Sequence, residues 1–311
     1  MVGVSDPTDE FSFLAEQAAD AGIDGPLPRG ERVTLGLADG RVLSALRYGG
    51  ASPVVTFLHG AGLNAHTWDT TILALGLPAL AIDLPGHGDS SWRDDMAYVA
   101  RVLAPDVAAG MDAWTDRPQL LVGQSLGGLT AAAVAASRPD LIDELVVVDI
   151  TPGIDPNGNA RQIREFFAGP TDWPSREALV EHALSFGLGG TPAAAARGVF
   201  FNSRIRPDGR VEWKHHFAHL ANAMAAAPGP VAEPDAVAVL LGEQGWDDLA
   251  AVRAPVTLIR GDHGYVTEED AATFAQRVAE ASVIVVASGH NVQEELPVEL
   301  GTTLRAMTGK S

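Results

Sequence analysis

Short apolar runs recur along most of this chain and alternate with longer stretches of helical period. Strands that are apolar on both faces are typical of a parallel sheet covered by helices on each side. The pattern predicts an α/β fold with a mostly parallel sheet of about eight strands. The runs are Val54–Leu58, Ala79–Ile82, Leu120–Val122, Leu145–Val148, Pro255–Ile259 and Val283–Val286.

The first part of the chain departs from this alternation. Two segments of alternating polarity, Val33–Leu37 and Arg41–Leu46, flank Asp39-Gly40. An Asp-Gly pair between alternating runs predicts a β-hairpin, because its backbone suits a tight turn. Before the hairpin we expect an N-terminal arm over residues 1–30 of unknown role, with a short helix over Phe11–Ala21.

The alternation also stops for about a hundred residues after the sixth predicted strand. We therefore expect an α/β core formed by residues 31–150 and 251–311, with a helical cap over residues 151–250. An insertion after a strand's carboxyl end lies over the edge where sites in such sheets form. Nine of the chain's 19 aromatic residues fall in this insertion. They are interpreted either as an apolar roof for a site or as the insertion's own core.

The composition excludes several classes of function. The formal net charge is -19, so a nucleic acid or an anionic membrane surface would be repelled by the average surface. The sequence has no cysteine, which rules out disulfides, thiolate metal sites and a cysteine nucleophile. The N-terminus has no basic and apolar signal pattern, and no apolar run reaches a membrane-spanning length. We expect a cytoplasmic location and a small-molecule partner.

A candidate nucleophile stands at the turn between a predicted strand and a predicted helix. Ser125 is the centre of Gly123-Gln124-Ser125-Leu126-Gly127, which follows one apolar run and precedes the Ala-rich stretch Leu129–Ala136. Such a serine is exposed at a strand's carboxyl end and lies beside a backbone N–H that can bind an oxyanion. The alternative is a tight turn whose serine only caps the helix.

A serine hydroxyl needs a base within hydrogen-bond reach, and His290 is the candidate. It follows the last apolar run, on a loop that begins Ser288-Gly289. His215 and His219 have the spacing of helical metal ligands, but His216 stands where a zinc protease needs a glutamate. No third ligand is indicated, so we predict no metal site.

Taken together, these motifs resemble the α/β-hydrolase superfamily over nearly the whole chain, from Val33 to Met307. The pieces that match are His59-Gly60-Ala61-Gly62, Asp83-Leu84-Pro85-Gly86-His87-Gly88, the turn around Ser125, and Ser288-Gly289-His290-Asn291. The resemblance implies that Ser125 is the nucleophile and His290 the base. It also implies an oxyanion hole built from the backbone N–H groups of Ala61 and Leu126.

The acid of the expected triad departs from the family's usual pattern. The usual position, after the strand at Pro255–Ile259, is occupied by Gly264. Asp262 is one alternative, through a different loop path. Asp149, at the end of the sixth predicted strand, is another, and we favour it. Glu268, Glu269 or the absence of any acid are the remaining alternatives. A different role for Asp149 is to anchor the start of the inserted segment.

The resemblance implies a serine hydrolase, and we expect a carboxylesterase that cleaves a small or medium apolar ester through an acyl-enzyme. We expect no metal or organic cofactor. Carbon–carbon bond hydrolysis, lactone opening and cofactor-free perhydrolysis use the same three residues and remain alternatives. A ligand-binding pseudoenzyme or receptor is an alternative of a different class. The candidate substrate-contacting residues are His59, Gly60, Gln124 and Trp213.

Overall fold

The fold centres on one eight-stranded sheet. The computed structural model describes residues 9–154, 169–186, 191–220 and 244–309. A second, three-stranded sheet lies in the inserted segment. The strands are β1 (Gly30–Gly36), β2 (Val42–Tyr48), β3 (Val55–Leu58), β4 (Ala79–Asp83), β5 (Gln119–Gln124), β6 (Ile142–Val148), β7 (Asp172–Trp173), β8 (Ser203–Ile205), β9 (Val211–Trp213), β10 (Val256–Gly261) and β11 (Ser282–Val286).

The large sheet has the strand order β1-β2-β4-β3-β5-β6-β10-β11. Strand β2 is antiparallel to both of its neighbours, and the other six strands of this sheet, β4, β3, β5, β6, β10 and β11, are parallel to one another. This arrangement confirms the predicted sheet and its opening hairpin. Because parallel strands end at the same edge, the loops that follow β3, β5, β6 and β10 meet there.

Helices cover both faces of the large sheet. On one face α3, α4, α7 and α8 enclose a core that includes Leu58, Leu121 and Phe274. On the other, α1, α2, α9 and α10 pack over Phe57 and Trp68. The helices are α1 (Leu14–Asp20), α2 (Asp69–Leu75), α3 (Ala100–Trp114), α4 (Leu126–Ser137), α5 (Arg176–Ser185), α6 (Pro192–Asn202), α7 (Gly245–Ala251), α8 (Glu268–Arg277), α9 (Val292–Glu295) and α10 (Pro297–Thr308).

The inserted segment is not purely helical, which corrects the expectation of a helical cap. Helices α5 and α6 begin at side-chain caps from Ser175 and Thr191. Strands β7, β9 and β8 form an antiparallel sheet beside them. The sequence carried a signal for it, because Asp208-Gly209 separates β8 from β9 and Gly209 has the positive φ of such a turn.

The N-terminal segment is packed against the rest of the chain. Helix α1 follows a short 3₁₀ turn at Glu10–Phe13. The Glu10 carboxylate accepts a hydrogen bond from Arg32 at 3.0 Å and lies 3.1 Å from His66 Nε2. Within the described ranges, no helix is both long and apolar enough to cross a membrane.

Candidate active site

Ser125 stands at a strained turn between β5 and α4. Its backbone has φ 53° and ψ −123°, a region that residues other than glycine rarely occupy. Its N–H still extends the sheet ladder by donating to Val148 O at 3.1 Å. Strained backbone at the end of a strand is typical of functional positions, because it aims a side chain away from the sheet.

The glycines around Ser125 are required by close packing. A Cβ atom on Gly123 would lie 2.3 Å from the carbonyl oxygen of Gly127. A Cβ on Gly127 would lie 2.3 Å from that of Leu58, which belongs to the neighbouring strand. A Cβ on Gly60 would lie 3.2 Å from Ser125 Cβ. The turn therefore presses on the end of β3 and on the loop after it.

The sequence predicts two backbone N–H donors for an oxyanion hole, those of Ala61 and Leu126. The N–H of Leu126 opens α4, and that of Ala61 lies in the loop after β3. Neither has an acceptor among the described residues. The Ala61 loop is supported from the inserted segment, because the Asn202 side-chain amide donates to the carbonyl oxygen of Gly62. The two donors are therefore free to bind an anionic oxygen.

Asp149, directly after β6, is fully buried and accepts three hydrogen bonds. Its Oδ1 accepts the N–H of Gly261 at 3.0 Å, and Oδ2 accepts the N–H of Tyr265 at 2.6 Å. Oδ2 also lies 2.8 Å from Nδ1 of His290. A carboxylate is acceptor-only, so His290 carries its proton on Nδ1. The backbone of Asp149 has φ 46°, the second strained position at this edge.

The structure brings Asp149, and not Asp262, to His290. The Asp262 carboxylate instead pairs with the adjacent His263, whose Nδ1 lies 2.5 Å from Oδ1. Its side chain is 51% exposed. The hydrogen bond from His263 lowers the pKa of Asp262. The Asp262 N–H donates to Val286 O at 2.9 Å, while its side chain is in contact with solvent and not with His290.

His290 is held at both ring nitrogens and on one ring face. Its Nε2 lies 3.0 Å from the Gln124 side-chain amide nitrogen, which therefore donates to it. The Tyr265 ring stacks on the imidazole with centroids 3.6 Å apart and planes 13° from parallel. The Ser125 hydroxyl makes no hydrogen bond to any residue that the structure describes. In this arrangement Gln124 occupies the lone pair that a serine proton would use.

Of the candidate substrate contacts, Gly60 and Gln124 lie at the site, but His59 and Trp213 have other surroundings. His59 is fully buried; its Nε2 accepts the Leu84 N–H and its Nδ1 lies 2.8 Å from Gly60 O. Burial lowers the pKa of His59, so the ring is neutral and ties two loops together. Trp213 packs against Trp173 in the inserted segment's own small core.

The histidines at 215, 216 and 219 lie among aromatic rings. His215 stacks on Trp213, and His216 stacks on Trp92 while its Nδ1 lies 2.7 Å from the Tyr98 hydroxyl. Burial lowers the pKa of His215 to about 3 and that of His216 to about 4, so both are neutral. Within the described part of the chain, no three His, Asp or Glu side chains group as a metal ion would require.

Comparisons with known proteins agree with this fold. The sequence pattern of the alpha/beta hydrolase family matches residues 57–301. The chain belongs to the alpha/beta hydrolase family.

Two mycobacterial proteins are similar to the chain over most of its length. Esterase Rv0045c of Mycobacterium tuberculosis is 39% identical over 308 residues, which cover 96% of this chain and 95% of that protein. A solved structure of the same esterase has a TM-score of 0.82 at 38% identity, covering 98% of this chain and all of that one. Lipase LipV of the same organism is 28% identical over 273 residues, covering 86% of this chain and 98% of the lipase.

Proposed function

We propose that this protein is a serine carboxylesterase in which Ser125 is the nucleophile, His290 the base and Asp149 the acid. The observation that carries the proposal is the 2.8 Å hydrogen bond between Asp149 and His290, beside the strained turn at Ser125. A buried carboxylate that fixes the imidazole tautomer leaves Nε2 as the proton acceptor. The similarity to a mycobacterial esterase along 96% of the chain supports the same reaction class.

The reaction follows from the roles of these groups. Ser125 Oγ attacks the ester carbonyl carbon while its proton passes to Nε2 of His290, so the Gln124 amide must first release that nitrogen. The bond to the alcohol oxygen then breaks, and the alcohol leaves with the proton from Nε2. A water molecule then gives a proton to the same nitrogen and attacks the acyl carbon. The bond from that carbon to Ser125 Oγ breaks, the acid leaves, and Nε2 returns the proton to Oγ.

The oxyanion of each tetrahedral intermediate is stabilised by the N–H groups of Ala61 and Leu126. Backbone donors fixed in advance need little reorganisation during the reaction, and loss of one costs about 10²- to 10³-fold in rate in such sites.

The partner is a small-molecule ester of small or medium size with an apolar part, and the location is cytoplasmic, as expected from the sequence.

The test compares four proteins on p-nitrophenyl esters of short and medium chain length. Ser125→Ala is expected to abolish turnover, and Asp149→Asn to lower kcat by about 10³- to 10⁴-fold, since the wrong imidazole tautomer is then favoured. Asp262→Asn is the matched control, expected to retain wild-type kcat. Loss of activity in Asp262→Asn with retention in Asp149→Asn would reverse the assignment of the acid.

If no ester is hydrolysed, a fluorophosphonate probe shows whether Ser125 is unreactive or whether the substrate is of another kind. Labelling at Ser125 without hydrolysis of any ester would favour carbon–carbon bond hydrolysis, lactone opening or perhydrolysis. Absence of labelling in folded protein would instead favour a ligand-binding pseudoenzyme.

A further inference from the structure

Tyr265 contacts both the proposed acid and the proposed base. Its backbone N–H donates to Asp149 Oδ2 at 2.6 Å, and the same oxygen lies 2.8 Å from Nδ1 of His290. Its ring stacks on the imidazole at a centroid distance of 3.6 Å. A single residue therefore fixes the carboxylate through its backbone and the imidazole through its side chain.

Gly264 makes this double contact possible. A Cβ atom at position 264 would lie 2.3 Å from both carboxylate oxygens of Asp149, so the loop passes directly against the carboxylate. The N–H of Tyr265 is thereby within hydrogen-bond distance. The far end of the loop is also fixed, because Thr267 and Asp270 form a reciprocal capping box at the start of α8. The backbone that carries the Tyr265 ring is thus held on both sides.

Stacking of the Tyr265 ring restrains the tilt of the imidazole, which the two hydrogen bonds to His290 do not. Asp149 and Gln124 act in the plane of the imidazole, at Nδ1 and Nε2. They leave the tilt of the ring undetermined, and the Tyr265 ring covers one face and removes that freedom. The negative face of an aromatic ring also attracts a cation. During acyl transfer the imidazole becomes an imidazolium, so the stack favours the charged form that the reaction needs.

We propose that Tyr265 is a positioning residue, which fixes the plane of His290 and stabilises its imidazolium through the face of the tyrosine ring. The loop that usually carries the family's acid thereby supports an acid supplied from β6. The inference rests on the proposed function, because the residue that Tyr265 positions is the base of that reaction.

Steady-state kinetics of two substitutions test the contribution of the ring. Tyr265→Phe keeps the ring and the backbone N–H, and its kcat is expected to stay within about twofold of wild type. Tyr265→Leu keeps only the N–H, and kcat is expected to fall by about 3- to 30-fold with KM nearly unchanged. Wild-type kcat in Tyr265→Leu, or an equal loss in Tyr265→Phe, would overturn the proposal. A change in KM alone would also overturn it, by assigning the ring to substrate binding.

A measurement that needs no turnover separates this proposal from the proposed function. In the Ser125→Ala background, the Nδ1 proton of His290 is expected to give a downfield proton NMR signal through its bond to Asp149. The signal should persist in Tyr265→Phe and broaden in Tyr265→Leu, because a loosened imidazole exchanges its proton faster. A sharp signal in Tyr265→Leu would contradict the proposal even if the protein proves to be an esterase. If Tyr265→Leu does not fold, Tyr265→Met serves in both experiments.

Discussion

The carboxylate of Asp149 occupies the space into which a side chain at position 264 would project. Both carboxylate oxygens lie 2.3 Å from the place of a Cβ atom on Gly264, a separation that real contacts do not allow. The glycine and the aspartate are therefore two parts of one arrangement. The site has room for a carboxylate from β6 or for a side chain from the loop after β10, and not for both.

This relationship predicts that the acid can be moved. Gly264→Asp alone is expected to lose most of the activity, because the new side chain displaces Asp149 from His290. Combining it with Asp149→Gly clears the space, and glycine also suits the positive φ at position 149. We expect the double variant to recover at least about tenfold in kcat over Asp149→Gly alone, measured on the best p-nitrophenyl ester. A double variant no better than Asp149→Gly would show that a carboxylate at 264 does not reach His290.

The Gln124 amide predicts an effect on the rate of acylation. It donates to Nε2 of His290 at 3.0 Å, where the serine proton must go. Gln124→Met removes this competing donor and keeps the length of the side chain. We expect labelling of Ser125 by a fluorophosphonate to become about fivefold faster, which corresponds to one ordinary hydrogen bond of about 1 kcal/mol. Slower labelling would mean that the amide orients the loop at 290–291 more than it blocks the base.

His66 predicts a pH dependence of stability at alkaline pH. Burial by itself lowers its pKa, but the carboxylates of Asp69 and Glu10, 2.9 and 3.1 Å from its ring nitrogens, outweigh burial and raise the pKa to about 9. Because the folded pKa exceeds the ordinary 6.5, the stabilisation is complete below about pH 6.5 and is lost as the pH rises through about 9. The difference corresponds to on the order of 3 kcal/mol.

Urea denaturation of wild type and His66→Gln between pH 6 and 10 measures this contribution. The variant should be less stable at pH 6, and the difference in the free energy of unfolding should shrink towards pH 10. His263→Gln is the control, since that ring is 67% exposed. A difference for His66→Gln that stays constant with pH would rule out the charged pairing and leave only packing against Phe201, on which the ring stacks at 3.8 Å.

Asn202 predicts a link between the inserted segment and the oxyanion loop. Its amide donates to Gly62 O, next to the proposed donor Ala61. Asn202→Asp keeps the shape but removes the donor, so we expect kcat to fall by about tenfold, as for an unsatisfied buried carbonyl. Asn202→Ala should give a similar loss. Wild-type kcat in both variants would show that the loop keeps its shape without this bond.

The sequence predicted features whose causes are local. Strands β3 to β6 read as apolar runs because each is buried on both faces. The turn at Ser125 is visible because Gly123 and Gly127 are needed wherever such a turn presses on its neighbours. The opening hairpin followed from Asp39-Gly40, and Gly40 does adopt a positive φ.

Features that depend on distant contacts were harder to predict. In the sequence Gly264 marks only the absence of the usual acid, because its contact with Asp149 joins two loops that are far apart in sequence. The stack of Tyr265 on His290 has no sequence signal, since the direction of a loop side chain is set by its surroundings. Trp213 was expected to contact substrate, yet it lies with Val211 on the buried side of a short strand. An aromatic residue in the sequence does not by itself indicate whether it lines the substrate site or packs in the inserted segment's own core.

The N-terminal segment packs against the inserted segment, so the insertion is not a separate module. Phe13 packs against Phe200 with ring centroids 5.2 Å apart, and Glu16 pairs with Arg197 at 3.0 Å. A few residues earlier, Glu10 pairs with the sheet through Arg32. Helix α6 is thus held partly by a segment that is distant in sequence, since 181 residues separate Glu16 from Arg197. A chimaera that exchanges the insertion between relatives must carry the matching N-terminal segment with it. Otherwise the transplanted helix loses its contacts with Phe13 and Glu16.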